Sequence, residues 1–275
     1  MEGRCDILLF GTMGDIGPVA KSSLQGHGLS VELVDFPQNI FRDEFGYRRT
    51  LLKATALLRP SLIIPIGHPL ALARVRQELP EHIEAAVESE ELIRLLDSKV
   101  AFSKLCTELD IRQPFIHTPP YVFEEGTIVF KRDVSFGGHG VYRPKTNAAL
   151  DQLIAHQRQG EPFLVEDYVE GTDYCVDALR YDGFFRAGVY RVTESQGSGP
   201  SRKRVPAALP EIEEIARKIM DHLGYRGICA FDFRVDTNGT PHILECNPRL
   251  TGGLATQIES GFDIPYLIWL NRCEK

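Results

Sequence analysis

Apolar and polar positions alternate along the first third of the chain as they do in a βαβ unit. The apolar run "CDILLF" is followed by a glycine turn, a segment with helical spacing and a second apolar run over roughly residues 29–36. The stretch "YRRTLLKATALL" predicts another helix, and "SLIIPIG" predicts a buried strand. This order predicts a small parallel α/β domain whose pattern ends near residue 80. One long helix is predicted over "ESEELIRLLDSKVAFSKLCTELDI", before the prolines of "RQPFIHTPP", so a domain boundary is expected near residue 95.

From Tyr121 onward the pattern changes to apolar strands separated by short turns. Strands are predicted in "TIVFKRDV", "PFLVEDYV", "DYCVDALRYDGFFRAGVYRV" and "GICAFDFRVDTNGTPHILECN", with one amphipathic helix over "LPEIEEIARKIMDHLG". Two-residue hairpin turns are predicted at Asp182-Gly183 and Asn238-Gly239. The polar stretch "TESQGSGPSRKR" at 193–204 is predicted as a mobile loop. The second part is therefore predicted as α+β with antiparallel sheets.

The composition excludes several classes of protein. The 275 residues are 43% hydrophobic and 25% charged, which is ordinary for a globular protein and unlike a disordered chain or a collagen. The net charge of −7 disfavours a general nucleic-acid binder, so small-molecule partners are predicted. The six cysteines include no CxxC pair, which predicts reduced thiols rather than a zinc ribbon or a disulfide framework. No secretory signal or membrane span is indicated, and we expect a cytoplasmic protein.

The last predicted hairpin brings three oxygen-bearing side chains together. If residues 238–239 form a two-residue turn, Asp232 lies directly across from Glu245, and Asn247 shares their face because alternate residues of a strand point the same way. A four-residue turn shifts the pairing by two positions and keeps all three on one face. Directly opposed like charges destabilise a sheet, so a divalent cation, Mg²⁺ (or Mn²⁺), suits these hard oxygen donors. The alternative is a solvated sheet face on which the acids meet water or basic neighbours.

Two further segments have the chemistry of a nucleotide site. Lys131 lies on a strand that precedes the glycine-rich run 135–140, whose small residues would let backbone N–H groups approach phosphate oxygens. No GKS or GKT follows, so this run is not a P-loop, and an ordinary glycine-rich hairpin stays open. In "FLVEDYVEGTDY", the carbonyl of Asp167 and the amide of Val169 would meet an adenine edge, and Asp173 would accept from ribose hydroxyls. The alternative there is a strand end with solvated acids.

Bases and glycines elsewhere add candidate chemistry. The bases Arg202, Lys203 and Arg204, with Arg191 at the loop entrance, either bind a substrate carboxylate or the γ-phosphate, or form a solvated charge run. The turn "GTMGDIG" at 11–17 superficially suggests a dinucleotide site. Its glycine spacing is a weak signal on its own, and no acid pattern supports it.

The order of the motifs is more informative than any one of them. The set consists of DSK at 97–99, the Lys131 strand with its glycine loop, ExxVEGxDY at 166–174, Asp232, and ExNPR at 245–249. This ordered set resembles the ATP-grasp superfamily, closest to its carbamoyl-phosphate-synthetase-like and amino-acid-ligase-like (carboxylate–amine ligase) members. The resemblance covers about residues 95–260. In that superfamily the turn at 11–17 would face the acceptor substrate, which is the interpretation we prefer.

The resemblance implies a role for each matching residue. Arg249 and Lys131 would be catalytic, with Arg249 stabilising the transferring phosphoryl group or an acyl-phosphate. The implied ATP contacts are Lys99, Lys131, Ser135, Gly137, Gly138, His139, Gly140, Glu166, Asp167, Tyr168, Val169 and Asp173. The implied metal ligands are Asp232, Glu245 and Asn247. The chain departs from the family pattern with shorter acids at 173 and 232, where many members have Glu, and with Arg132-Asp133 where proline is common.

The resemblance also implies an architecture and an activity. The expected domains are a pre-ATP-grasp α/β domain (1–95), an ATP-grasp small lobe (96–170) and an ATP-grasp large lobe (171–275). The expected function is an ATP- and Mg²⁺-dependent, ADP-forming carboxylate–amine ligase that works through an acyl-phosphate. The alternatives are carboxyphosphate or kinase-type chemistry, or a non-catalytic ATP-binding regulatory protein. Expected partners are a small-molecule carboxylate and an amine, without nucleic acid or membrane, and a homodimer stays open.

Overall fold

The N-terminal part is a parallel α/β layer, as the sequence predicted. The computed structural model describes residues 4–36, 43–121, 123–124, 126–135, 137–157, 160–195 and 201–273. Its first elements are β1 (Ile7–Phe10), α1 (Ile16–Gly26), β2 (Val31–Val34), α2 (Glu44–Leu58), β3 (Leu62–Pro65), α3 (Pro69–Val75), a 3₁₀ turn (Arg76–Glu78) and β4 (Glu84–Ala85). The four strands are parallel in the order β2-β1-β3-β4. The sheet extends past residue 80, where the sequence predicted its end, because β4 pairs with β3.

Two helices stand where the sequence predicted one. They are α4 (Glu90–Asp97) and α5 (Lys99–Glu108). Ser98 separates them because its backbone is extended, and its Oγ accepts a hydrogen bond from the Ala101 amide at 3.0 Å, as an N-cap serine does. Asp133 also accepts from the Ser98 hydroxyl and from the Val100 amide, both at 2.8 Å. The start of α5 is therefore tied to the end of the Lys131 strand. The predicted boundary near residue 95 lies within α4, and the division into domains stays a prediction.

A small antiparallel sheet follows. Its elements are β5 (Ile128–Arg132), β6 (Val141–Tyr142), α6 (Asn147–Ala155) and β7 (Phe163–Asp167). The strand order is β6-β5-β7, and the glycine-rich run joins β5 to β6. Ile128, Phe130, Leu150 and Val165 form a core that belongs to this sheet and its helix. This sheet and its helix therefore have a small hydrophobic core of their own.

A larger antiparallel sheet forms the last part of the chain. Its elements are β8 (Gly171–Tyr181), β9 (Phe184–Ser195), β10 (Ser201–Pro206), α7 (Pro210–His222), β11 (Gly227–Asp236), β12 (Pro241–Asn247), α8 (Leu254–Glu259) and α9 (Ile264–Cys273). The strand order is β10-β9-β8-β11-β12. The predicted turn at Asp182-Gly183 is confirmed, since Tyr181 pairs with Phe184 and Gly183 has a φ of +74°. Both predicted sheet types are thus present.

The polar stretch at 193–204 was wrongly predicted as a loop throughout. β9 continues to Ser195 and β10 begins at Ser201, so 196–200 and the side chains of Ser195, Ser201 and Arg202 lie outside the described residues. Glu194 pairs with Lys203 and Val192 with Arg204. A hairpin forms here although the local composition is typical of a loop. Strand pairing depends on the neighbouring strand and not on composition alone.

The turn between β11 and β12 also differs from the prediction. Asp236 and Thr240 face each other across a three-residue loop instead of the predicted two-residue turn at Asn238-Gly239. The carboxylate of Asp236 accepts from the amides of Asn238 and Thr240, both at 2.9 Å, which stabilises the longer turn. A β-bulge just after Asp232 then restores the predicted register, so that Asp232 still pairs with Glu245.

Two buried clusters join the layers. One packs the parallel sheet, α4, α5 and α7 against one face of the large sheet, through side chains such as Phe10, Phe102, Ile219 and Phe231. The other packs α1, α8 and α9 around the far end of that sheet, beside Leu179. All six cysteines are free thiols. No helix among the described residues has the length and apolar character needed to cross a membrane.

Candidate active site

A cleft of about 510 Å³ lies between the small sheet and the large sheet. Most of the residues that the sequence identified as candidates line it. These are Lys131, Ser135, Gly137, Gly138, Glu166, Asp167, Tyr168, Val169, Asp173, Asp232, Glu245, Asn247 and Arg249. Lys99, His139 and Gly140 are not among the described residues that line this cleft. The fold thus brings together motifs that are up to about 120 positions apart in sequence.

Three successive rows of side chains cross strands β8, β11 and β12 on the cleft face of the large sheet. Alternate residues point to one face, so consecutive rows are about 7 Å apart. From one end of the cleft to the other, the rows are Asp173 with Arg234, then Cys175 with Asp232 and Glu245, then Asp177 with Ala230 and Asn247. The paired carboxylates therefore occupy the middle of the cleft.

The middle row contains two carboxylates that face each other. The Asn247 amide lies beside both, since its Nδ2 donates to Asp232 Oδ2 at 3.3 Å and to Glu245 Oε1 at 3.4 Å. Burial, and then the nearby Glu245 charge, raise the pKa of Asp232 well above its usual range. Burial also acts to raise the pKa of Glu245, but Lys99 and then Lys131 bring that pKa below its usual value. The two lysines therefore stabilise the ionised form of Glu245, whereas the Asp232 carboxyl keeps a raised pKa.

These residues fit a divalent cation that completes its coordination elsewhere. Among the described residues, no group of three or more His, Cys, Asp or Glu side chains could hold a metal ion without other ligands. Two carboxylates with water and phosphate oxygens suit Mg²⁺, which seldom relies on an all-protein cage. The Asn247 Oδ1 accepts from Arg249 Nη2 at 2.5 Å, so the amide must turn over before its oxygen can bind a metal. Asp232 and Glu245 are thus the better-placed donors.

Two buried lysines stand beside the carboxylates. Lys99 Nζ lies 3.1 Å from Glu245 Oε2 and donates to the Ser135 carbonyl at 3.1 Å, which links the glycine-rich run to the large sheet. Lys131 Nζ lies 2.5 Å from Glu166 Oε1. Burial raises the pKa of Glu166, although the Lys131 charge opposes that change. The Glu166 carboxylate therefore holds Lys131 in place, a partnership that the motif did not indicate.

The segment after β7 is fixed through its backbone. The Asp167 amide donates to the Phe115 carbonyl at 2.9 Å, and the Tyr168 amide donates to the Thr127 carbonyl at 2.7 Å. The Asp167 carboxylate lies 2.6 Å from His117 Nε2. These contacts hold 167–169 as one wall of the cleft, where the sequence placed an adenine-binding edge.

Arg249 lies at the end of the carboxylate rows that contains Asn247. Its Nη1 donates to Asp97 Oδ1 at 2.7 Å, and its Nη2 donates to Asn247 Oδ1. The side chain is only 8% exposed yet lines the cleft, so both ends of the fork are fixed before any ligand binds. Burial, and then the Arg249 charge, lower the pKa of the nearby His68. Asp97 belongs to the DSK motif, whose lysine alone was assigned from the sequence.

Within the basic run at 202–204, Lys203 and Arg204 have different surroundings. Lys203 is exposed and pairs with Glu194 at 2.9 Å, as a solvated charge run would. Arg204 is buried in the cleft wall, with Nη1 2.7 Å from Asp177 Oδ2 and Nη2 donating to the Gly253 carbonyl at 2.6 Å. Its guanidinium also stacks over the Tyr190 ring. Sequence reasoning missed Asp177, although its spacing from Asp173 places both on one strand face.

Other proteins resemble this chain in sequence. A family model described as "ATP-grasp in the biosynthetic pathway with Ter operon" matches residues 159–274. The carbamoyl phosphate synthase large chain of Thermoanaerobacter sp. is 27% identical over 183 residues, covering 58% of this chain and 17% of that one. The D-alanine–D-alanine ligase of Pelotomaculum thermopropionicum is 24% identical over 216 residues, covering 63% of this chain and 68% of that one.

A solved structure of an L-amino acid ligase from Bacillus licheniformis superposes on 98% of this chain and 74% of its own, with a TM-score of 0.74 at 15% identity. The chain has the ATP-grasp fold, and its residues 159–274 match an ATP-grasp family model. The relatives and structural neighbours that it matches are named as ligases, a synthase large chain and a carboxylase. The chain spans only 17% of the carbamoyl phosphate synthase large chain that it matches, so that protein's whole activity does not transfer to it.

Two neighbouring glycines of the cleft allow a matched test of the packing around Arg204. A Cβ added at Gly253 would lie 1.8 Å from Arg204 Cζ, whereas one added at Gly252 meets nothing within 4 Å. We expect Gly253→Ala to displace a guanidinium that neutralises buried Asp177, lowering the free energy of unfolding by about 3 kcal/mol. Urea denaturation should show Gly252→Ala within about 0.5 kcal/mol of the parent chain. Equal stabilities for the two variants would contradict the packing described for Arg204.

Proposed function

We propose that this ATP-grasp protein is an ATP- and Mg²⁺-dependent ligase that joins a carboxylate to an amine through an acyl-phosphate. The observation that carries the proposal is Arg249, which Asp97 and Asn247 hold at the end of the carboxylate rows. A fixed guanidinium fork suits the oxygens of a phosphoryl group in transfer better than a mobile point charge does. The likeness to an amino acid ligase and to D-alanine–D-alanine ligase supports the same reaction class.

Each part of the cleft has a place in this reaction. The segment 167–169 binds the nucleotide base, Lys131 contacts ATP phosphates, and the backbone N–H groups of Gly137 and Gly138 cover them. Lys99, which is buried behind the cleft, keeps the glycine-rich run and Glu245 in register. Asp232 and Glu245 would hold Mg²⁺, which neutralises phosphate charge and orients the reacting oxygens.

The chemistry then proceeds in two steps. A carboxylate oxygen of the substrate attacks the γ-phosphorus, the bond to the β-phosphate oxygen breaks, and ADP leaves with that electron pair. The amine nitrogen next attacks the acyl carbon, phosphate leaves, and the nitrogen loses a proton as the amide forms. Arg249 stabilises the negative oxygens of the transferring group in the first step and of the leaving phosphate in the second. Met13, from the turn at 11–17, lines the same cleft and would border the acceptor.

Oxygen tracing tests the acyl-phosphate. A screen of paired carboxylates and amines for ADP release identifies a working pair, and its carboxylate is then labelled with ¹⁸O. We expect one ¹⁸O atom per turnover in the released phosphate, because the attacking oxygen stays with phosphorus when the amine displaces it. Mass spectrometry of the phosphate measures the label. Unlabelled phosphate from a productive pair would exclude an acyl-phosphate of that substrate.

The likeness to the carbamoyl phosphate synthase large chain favours a second candidate, in which bicarbonate is phosphorylated instead of an organic acid. The same cleft residues would serve that reaction, because bicarbonate presents the same oxygens to the γ-phosphate. ADP release that requires bicarbonate and no organic carboxylate would identify this candidate. A purely regulatory ATP-binding protein would bind nucleotide without ADP release from any pair, and the placement of Arg249 between Asp97 and Asn247, at the end of the carboxylate rows, argues against it.

A further inference from the structure

An ion pair between Arg234 and Asp173, which the sequence motifs did not indicate, lies at the end of the cleft where the nucleotide base would bind. Arg234 is directly across from Asp173 in the pairing of β11 with β8. Its Nε lies 2.6 Å from Asp173 Oδ1. Both side chains line the cleft, one row away from Asp232 and Glu245. The arginine therefore fixes an acid that lies about 7 Å from the paired carboxylates, along the sheet.

The same arginine also contacts the cleft wall. Its Nη1 donates to the Tyr168 hydroxyl at 3.4 Å and to the Gly171 carbonyl at 3.4 Å. Arg143 stacks over the Tyr168 ring at 3.5 Å from the ring centroid and anchors its own Nε on the Gly126 carbonyl at 2.7 Å. Arg234 thus connects the strand that carries Asp173 to the segment 167–169. A side chain with contacts on both sides can hold a carboxylate at a fixed distance from that segment.

We propose that Arg234 is a positioning residue that aims Asp173 at the ribose hydroxyls of the nucleotide and makes the cleft select ribonucleotides over deoxyribonucleotides. The inference rests on the nucleotide-binding part of the proposed function. The row order supports it, because phosphates at the middle row and a base at 167–169 leave the sugar beside Asp173. A carboxylate held by a charged guanidinium loses less freedom when it accepts from a hydroxyl, so more of the hydrogen-bond energy contributes to binding.

The test measures nucleotide affinity rather than turnover, so it does not require the substrates. Isothermal titration gives the Kd of ADP, 2′-deoxyADP and 3′-deoxyADP with Mg²⁺ for the full chain. We expect the parent protein to bind at least one deoxynucleotide about 10-fold more weakly than ADP, since a hydrogen bond to a charged group is lost. Arg234→Met should weaken ADP binding and bring that ratio close to one. Arg234→Lys, which keeps the charge and loses the fork, should fall between the two.

Arg180 supplies a matched control on the opposite face of the same sheet. Its Nε lies 2.6 Å from Asp221 Oδ1, and its side chain is 18% exposed, against 21% for Arg234. Arg180→Met removes an equivalent ion pair away from the cleft and should leave the ADP-to-deoxyADP ratio at the parent value. A ratio that changes equally in both variants would overturn the proposal, because it would reflect a general loss of sheet rigidity.

Two other outcomes separate this inference from the proposed function. If the parent protein binds ADP with Mg²⁺ but Arg234→Met keeps the parent ratio, the positioning role is overturned and the proposed ligase is untouched. If the parent protein binds no adenine nucleotide, the proposed function fails, and this inference fails with it. Circular dichroism and the urea midpoint of each variant establish that the comparison is made on folded protein.

Discussion

Glu245→Gln is expected to lower Mg²⁺-dependent ADP formation by about 100-fold or more, the largest effect among single substitutions in the cleft. The amide keeps the shape of the side chain and an oxygen that can accept from Lys99 Nζ, which lies 3.1 Å from the native carboxylate. It removes the negative charge that, with Asp232, would hold the cation. The measurement is ADP release with the working substrate pair, alongside the Kd of ADP with Mg²⁺ and with EDTA.

The binding measurement makes this test independent of catalysis. In the parent chain we expect Mg²⁺ to tighten ADP binding, and in Glu245→Gln we expect that difference to shrink. Glu32→Gln is the control, because Glu32 pairs with Lys21 at 3.6 Å on the surface of the N-terminal layer, away from the cleft. Near-parent turnover in Glu245→Gln, or an unchanged Mg²⁺ effect, would rule out Glu245 as a metal ligand.

The paired carboxylates show how far strand periodicity predicts a site. The alternation of side chains in the two predicted strands indicates one face for Asp232, Glu245 and Asn247, and in the structure the three lie together on β11 and β12. The chain makes a three-residue turn instead of the predicted two-residue turn and regains the predicted register at a bulge. The register survived because the face of a strand is set by the whole hydrophobic pattern, which one turn does not determine.

Partners that come from distant segments were not predictable in the same way. Asp97 and Arg249 are separated by 152 positions and meet because α4 packs against β12, a contact that no local pattern encodes. The pairing of Lys131 with Glu166 requires β5 and β7 to be neighbours, and the burial of Arg204 requires β10 to form at all. Local composition described 193–204 as a loop, since an isolated segment carries no information about the strand beside it.

The break between α4 and α5 at Ser98 was only partly predictable from the sequence. The cap signal of a serine before a helix was present in "LLDSKVAF", but continuous helical spacing on both sides concealed it. The break matters for the site because it sets the direction of Lys99, the first residue of α5, towards Glu245 and the glycine-rich run. A helix that continued through residue 98 would rotate this lysine with the rest of its turn.

Arg249→Lys is expected to lower the turnover number by about 100-fold with little change in the affinity for ADP. Lysine keeps the positive charge but cannot donate to Asp97 and Asn247 through two nitrogens of one plane, as Arg249 does. If the fork acts on the phosphoryl group only while it is in transfer, the loss falls on the chemical step and not on nucleotide binding. Steady-state kinetics with the working pair and titration with ADP separate the two effects.

Arg180→Lys is the matched control for this substitution. Arg180 also holds an acid and a carbonyl, with Nε 2.6 Å from Asp221 Oδ1 and Nη1 donating to the Tyr225 carbonyl at 3.0 Å. Its change to lysine costs a similar set of hydrogen bonds on the other face of the sheet, so it reports what the loss of packing alone does to turnover. A comparable fall in both variants, or a loss of ADP affinity in Arg249→Lys equal to its loss of turnover, would remove Arg249 from the chemical step and leave it a structural link between α4 and β12.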